Sequence, residues 1–394
     1  MRYGVCMKSE NLVTAFQKLF GSEPSSTYFS PGRVNLIGEY TDFNGGYVLP
    51  AAINLGTYYA VGLNTTNRVN VYSDGADGLV SINLTDIADQ ILNQDWSDYV
   101  KGSLVEYHKS ALVGEHGVDI YISGDLPRNS GLSSSASLTV GLVFLLNNIW
   151  DCNLDRLDIA KMSRSVENDF IGLQCGIMDQ FAVAKGQTDH AVCLHCHTLE
   201  SKLIPFQLDG YEIVITDSRV PRKLSESSYN QRRGECDAAL ATLQKDLSID
   251  YLCEASVQDV EKCEELRANP IAYKRAKHVV TENSRVLAAV KCLSQNRLAE
   301  FGELLYASHN SLRDDFEVSC KELDILVETT KNIAGVLGSR MTGAGFGGCI
   351  LSLVATSVVP EFIQQLSAAY AAHTSYQATI HCCQIGDGVK QLNN

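Results

Sequence analysis

The stretch Val118-Asp119-Ile120-Tyr121-Ile122-Ser123-Gly124-Asp125-Leu126-Pro127-Arg128-Asn129-Ser130-Gly131-Leu132-Ser133-Ser134-Ser135-Ala136-Ser137-Leu138 decides how the chain is read. Val118, Ile120 and Ile122 alternate with Asp119, Tyr121 and Ser123, which predicts a half-buried strand. Gly124 through Gly131 is rich in turn residues and ends that strand. The Ser-rich run then enters Leu138, Val140, Leu142, Val143 and Leu146, the apolar positions of a helix. A Gly- and Ser-rich turn at a helix start offers unpaired N–H groups, hydroxyls and the positive end of the helix dipole, which together suit a phosphate. It is not the P-loop pattern, because no Lys follows the glycine. The alternative is a helix start that is simply well capped by Ser.

Working outward, 394 residues are enough for two packed lobes or one large domain. With 45% hydrophobic and 20% charged residues and only 8 prolines, the chain is globular. A net charge of −14 with no Lys/Arg run argues against a nucleic-acid partner, although a phosphorylated ligand needs only a local positive site. No apolar run is long enough to span a bilayer. Residues 1–8 lack the apolar stretch of a signal peptide, and the 13 cysteines have no regular spacing. Free thiols in a reducing cytoplasm are therefore expected. Nothing in the pattern signals an oligomer, and it is compatible with a monomer.

Upstream, residues 10–20 have helical spacing and Gly21 is a stop. The segment Pro31–Gly46 interleaves Arg33, Glu39 and Asp42 with glycines and with the anchors Val34, Leu36 and Ile37. That mixture predicts a rigid loop presenting polar groups to a ligand. Tyr47–Leu63 reads as strand and Trp96–Leu112 as an amphipathic helix. A further helix over 155–170 carries Glu167 near its end. Asp179, beside Ile177, Met178 and Phe181, is either a candidate base or a helix N-cap. Cys193-Leu194-His195-Cys196-His197 matches a haem-attachment pattern, but it lies in an apolar strand-like run and is read as strand. Beyond Pro205, Tyr211–Thr216 is strand and helices dominate to residue 334. Ser319–Glu322 reads as a capping box. A second glycine cluster, Arg340–Cys349, then enters the strand Ile350–Val354.

Three of these segments carry a resemblance. Gly32-Arg33-Val34-Asn35-Leu36-Ile37-Gly38-Glu39-Tyr40-Thr41-Asp42-Phe43-Asn44 closely resembles the galactokinase signature. Pro127–Leu138 resembles the second motif of the small-molecule kinase superfamily that includes homoserine, mevalonate and galactose kinases, and Arg340–Cys349 resembles its third. Cys175–Gln180 and Ser228–Arg233 add galactokinase-type detail, so the resemblance runs from about residue 28 to the C-terminus.

The resemblance implies an α/β (α+β), two-lobed small-molecule kinase fold with ATP and sugar in the cleft between lobes 1–205 and 206–394. It implies that Gly131, Ser133, Ser134, Ser135, Ala136 and Ser137 cradle the triphosphate, and that Trp96 lies in the adenine pocket. Ser135 and Glu167 would hold Mg²⁺, as hard oxygen ligands. Asp179 would sit by the sugar's anomeric hydroxyl with Arg33 beside it. Glu39, Tyr40, Asp42, Gly176 and Tyr229 would face the rest of the sugar.

Several positions depart from the family pattern. Tyr40 replaces a His that reads the C6 arm of the sugar. Ile380-His381-Cys382-Cys383 stands where relatives often carry Tyr. Arg128-Asn129-Ser130 and Ala344 alter two turns. The expected activity is ATP-dependent phosphorylation of galactose at C1. A sister sugar 1-kinase acting on L-arabinose, or a sugar- and ATP-sensing regulator without catalysis, are the other readings.

Overall fold

The computed structural model describes residues 9–127, 131–221 and 225–392. The N-terminal residues 1–8 and the turn Arg128-Asn129-Ser130 lie outside them. Among the described residues no helix is long and apolar enough to cross a membrane.

The first lobe is built on a six-stranded sheet in the order Lys390–Leu392, Ser26–Asn35, Pro50–Asn64, Gly117–Gly124, Arg68–Ser73, Leu79–Asn83. Neighbours are antiparallel except Arg68–Ser73, which runs parallel to Gly117–Gly124. The decisive strand and helix form as expected, the helix spanning Ser134–Ile149. Its residues from Thr139 to Asn147 are buried all round. A helix of that kind belongs in a core. It packs on Ser26–Asn35 and Pro50–Asn64 and on the helices Ser97–Lys109, Arg156–Ser165 and Met178–Lys185.

The second lobe carries a four-stranded antiparallel sheet in the order Val336–Thr342, Cys349–Ala355, Tyr211–Asp217, Thr379–Cys383. The helices Ser225–Leu243, Pro270–Ser294, Leu298–Asp314, Lys321–Thr330 and Val359–His373 belong to the same half. A small sheet of Tyr47–Val48, His190–His195 and Ser201–Pro205 contains the Cys193-Leu194-His195 run, as its apolar character implies.

Four local differences have physical causes. The strand expected over Tyr47–Leu63 breaks before Pro50, which has no N–H for a ladder, so Tyr47–Val48 pairs in a separate sheet. The helix over 155–170 divides into an α-helix Arg156–Ser165 and a π-helical turn Val166–Ile171 that carries Glu167. No capping box forms at Ser319: the helix starts at Lys321, Cys320 is its N-cap, and the Ser319 hydroxyl donates to Asp324 instead. The two halves also interlock. Lys390–Leu392 is an edge strand of the first sheet. One core is shared by Val34, Leu36, Ile37 and Leu49 with Ile213, Val286, Phe301 and Leu351.

Gly141 sets how closely the central helix approaches the sheet. A Cβ there would stand 2.2 Å from the Tyr59 hydroxyl, which bonds the carbonyls of Ser137 and Leu138 at 3.0 Å each. Ala is the better helix former, yet Gly141→Ala is expected to destabilise the protein by roughly 1–3 kcal/mol through overpacking. Urea unfolding of the two proteins decides between propensity and packing.

Candidate active site

The site begins with a break in strand register. Between Pro31 and Arg33 the pairing of Ser26–Asn35 with Pro50–Asn64 shifts. Such a bulge bends a strand and re-aims its side chains. Arg33 then reaches across the lobe. Its Nε and Nη2 donate to the two carboxylate oxygens of Asp179 at 2.7 Å each, and Nη1 donates to the Gly131 carbonyl at 2.7 Å.

Asp179 stands in the first turn of the helix Met178–Lys185; the N-cap is Ile177, so the capping alternative for Asp179 does not hold. Ser133 completes the cluster. It is the N-cap residue of Ser134–Ile149, with backbone in the left-handed region (φ 58°), but its hydroxyl makes no cap. It donates to Asp179 Oδ2 instead. The first-turn N–H groups of a helix have no intrahelical acceptor, and the Ser133 side chain supplies none here.

The serine run divides. Ser134 is exposed and Ser135 half-buried at this helix start, whereas Ala136 and Ser137 are buried. The Ser137 hydroxyl donates to the Ser30 carbonyl at 2.7 Å and lies 2.8 Å from Thr57 Oγ1. The Ser137 hydroxyl thus fastens the helix to the sheet. Trp96 is half-buried against the first-lobe core at the start of Ser97–Lys109.

Between the lobes lies a cavity of about 160 Å³. Arg33, Glu39, Tyr40, Asp42, Gly176 and Asp179 line it from the first half, and Tyr229, Gly343 and Ala344 from the second. It is smaller than the roughly 300–1,000 Å³ of drug-sized pockets, and it is rich in acceptors. Asp42 is pushed up to about 6, chiefly by burial; the Phe43 N–H opposes this, and the charges of Asp179 and Glu39 add to it. Gly176 is required for space, because a Cβ there would stand 2.0 Å from Asp42 Oδ2.

Glu39 is nearly fully buried. Its Oε1 accepts the Gly343 N–H at 2.7 Å and faces Arg340 Nη2 at 3.1 Å, while Oε2 accepts Asn35 Nδ2 at 2.6 Å. One lone pair of Oε2 is thus available to a ligand hydroxyl. Tyr40 tilts away: its hydroxyl donates to the Ala344 carbonyl at 2.6 Å, and its ring packs on Phe316 and Tyr229. Tyr40 remains in the cavity lining, with its hydroxyl turned to that carbonyl.

Comparisons with known proteins place the chain in a family. Residues 14–63 match the galactokinase galactose-binding signature, 98–187 the GHMP kinases N terminal domain and 289–372 the GHMP kinases C terminal domain. The chain is 45% identical over 388 residues to the galactokinase of Clostridium tetani, covering 98% of each chain. To the galactokinase of Clostridium acetobutylicum it is 43% identical over 380 residues, 96% of this chain and 97% of that one. The chain belongs to the galactokinase family. The galactokinase of Lactococcus lactis complexed with galactose superposes with a TM-score of 0.93 at 40% identity, over 98% of this chain and 100% of that one.

Against that family frame, the sequence-named Arg33, Glu39, Tyr40, Asp42, Glu167, Gly176, Asp179 and Tyr229 all meet at one cavity. Arg340 and Asn35, which bond Glu39, and Cys175 and Gln180, which line the cavity, have no separate role assigned from the sequence. The available signal was an Arg opening the glycine cluster; the structure buries it fully.

Glu167 Oε1 is buried with no hydrogen-bond partner among the described residues. Burial, with the Asp179 charge, pushes the group up to about 7, offset in part by Gln180, Cys175 and Ser135. An orphaned carboxylate oxygen beside a serine fits a Mg²⁺ that draws its other ligands from phosphates and water. Such an ion must displace the Glu167 proton. The Mg²⁺ concentration for half-maximal rate is therefore expected to fall as pH rises through about 7. Glu167→Gln should need more Mg²⁺ and lose that component of the pH dependence, as steady-state titrations at pH 6–8 would show.

Proposed function

We propose that this chain transfers the terminal phosphoryl group of ATP to the C1 hydroxyl of D-galactose, giving galactose 1-phosphate and ADP. The observation that carries the reading is the Asp179 carboxylate, gripped by the signature arginine on one side and by the serine of the phosphate-type turn on the other. It joins a polyol cavity to an anion-binding helix start. A hydroxyl seated against Asp179 therefore lies next to a phosphate at the Ser134–Ile149 N-terminus, as in-line transfer requires.

In this reading Glu39, Asp42, the Gly176 backbone and Tyr229 take the sugar's other hydroxyls, carboxylates being strong acceptors for them. Gly131, Ser133, Ser134 and Ser135 border the triphosphate, and Trp96 is the candidate for the adenine ring. Mg²⁺ held by Ser135 and Glu167 supplies charge neutralisation at the phosphates when bound. Asp179 orients the C1 hydroxyl and receives its proton as the bond to phosphorus forms. Arg33 keeps that carboxylate in one rotamer and places positive charge near the moving group.

Asp179→Asn is expected to lower kcat on the order of a hundredfold or more while galactose and ATP binding change little. Near-normal turnover would remove Asp179 from the mechanism. The Tyr40 geometry also bears on substrate choice. With the phenol drawn toward Ala344, space for a C6 arm is retained, so kcat/KM should favour galactose over L-arabinose. One such group is worth about tenfold to two-hundredfold. The order should persist in Tyr40→His. A wild-type preference for L-arabinose that reverses in Tyr40→His would establish the sister-kinase reading instead.

A further inference from the structure

A buried carboxylate of the second lobe, unused by the reaction, faces the sugar loop. Glu282 lies on the helix Pro270–Ser294 and is fully buried. Its Oε1 accepts the backbone N–H of Gly38 at 3.0 Å and the Ser308 hydroxyl at 2.6 Å; its Oε2 accepts Arg285 Nε at 2.6 Å. One turn earlier on the same helix face, buried His278 places Nε2 3.2 Å from the Glu39 carbonyl. Burial pushes His278 down to about 4, so at neutral pH its Nε2–H donates to that carbonyl while Nδ1 faces the Ser311 hydroxyl at 2.9 Å. Burial acts against ionising Glu282, but Arg285, then His278 and Arg340, hold it down at about 2.

The helix thus grips two successive residues of the loop, and the backbone there needs holding. Gly38 has φ 103° and Tyr40 φ 67°. For a tyrosine the left-handed region is unfavourable and persists only where surroundings impose it. A Cβ at Gly38 would stand 2.8 Å from Val286 Cγ2, so the loop lies hard against this helix. Glu39 and Tyr40, both lining the cavity, take their direction from that turn.

We propose that Glu282 is a positioning residue of the sugar site, setting through the Gly38 N–H the turn that aims Glu39 into the cavity. It governs sugar affinity rather than phosphoryl transfer. The inference rests on the reading of this cavity as the galactose site.

Three variants separate positioning from stability. Glu282→Asp keeps the charge but withdraws the carboxylate from Gly38, and the KM for galactose is expected to rise about tenfold, with kcat and the KM for ATP within about twofold. Glu282→Gln keeps an acceptor for Gly38 while leaving Arg285 without its ion pair; its melting temperature should fall while its galactose KM stays near wild type. Glu282→Met combined with Arg285→Met replaces the ion pair by apolar groups, a change often neutral for stability. That protein should melt near wild type yet show a raised galactose KM.

Amide hydrogen exchange over residues 38–42, which needs no turnover, should quicken in the Asp and double-Met proteins only. If the double-Met protein does not fold, the contrast between Asp and Gln decides. Galactose KM that follows melting temperature across the series, or wild-type KM and exchange in Glu282→Asp, would overturn the inference. Turnover of galactose by the wild type tests the functional reading separately from the ranking of the variants.

Discussion

The carboxylate of Asp179 is the point on which the structure turns. It binds an arginine 146 residues away and a serine 46 residues away. A bidentate guanidinium–carboxylate pair is directional as well as strong. Forming it therefore aligns the bulged strand end, the start of the Met178–Lys185 helix and the turn before Ser134–Ile149. The third nitrogen of Arg33 extends the alignment to the Gly131 carbonyl. Because the Ser133 hydroxyl is drawn to Asp179, it cannot cap its own helix. The uncapped start of that helix and the fixed orientation of the Asp179 carboxylate are thus products of one hydrogen-bonding choice.

A second constraint follows from collecting Glu39, Asp42, Glu167 and Asp179 around one small cavity. Carboxylates in a desolvated space repel one another, and each must be neutralised, paired or protonated. The protein uses a different remedy for each. Asp179 is paired with Arg33, and Glu39 with Arg340 and the Gly343 amide. Asp42 and Glu167 are pushed up toward neutrality. Groups perturbed in this way cluster at functional sites.

The lobes are consequently not independent modules joined by a hinge. The segment 38–40 belongs to the first half of the chain, but its donors and acceptors are answered from the second, by Arg340, Gly343, Ala344, His278 and Glu282. The C-terminal strand Lys390–Leu392 returns to the first sheet. The cavity is thus lined from both halves of the chain.

Much of this was legible in the residues. The alternation over Val118–Ser123, the Gly/Ser turn and the apolar helix after it are local patterns. Local patterns determine local structure because they state which face must leave water. The motif segments likewise named most of the cavity lining, since chemistry that needs an Arg, a Glu and two Asp among glycines leaves little freedom in how they are spaced. The sequence could not show how the hydroxyls of Ser133, Ser137 and Tyr40 would be used. Each is a donor with several acceptors in reach of its rotamers, and the choice depends on which backbone the fold brings alongside. For Ser137 that was the Ser30 carbonyl, for Ser133 the Asp179 carboxylate and for Tyr40 the Ala344 carbonyl. Glu282 was invisible for the same reason: on a helix that reads as amphipathic, one acid looks like any other until its helix packs against Gly38. The sequence by itself determined most of the elements, though not all their bounds, the family and the kinds of group at the site. Tertiary structure alone decided their pairing, because a hydrogen bond between distant residues is set by packing and not by order along the chain.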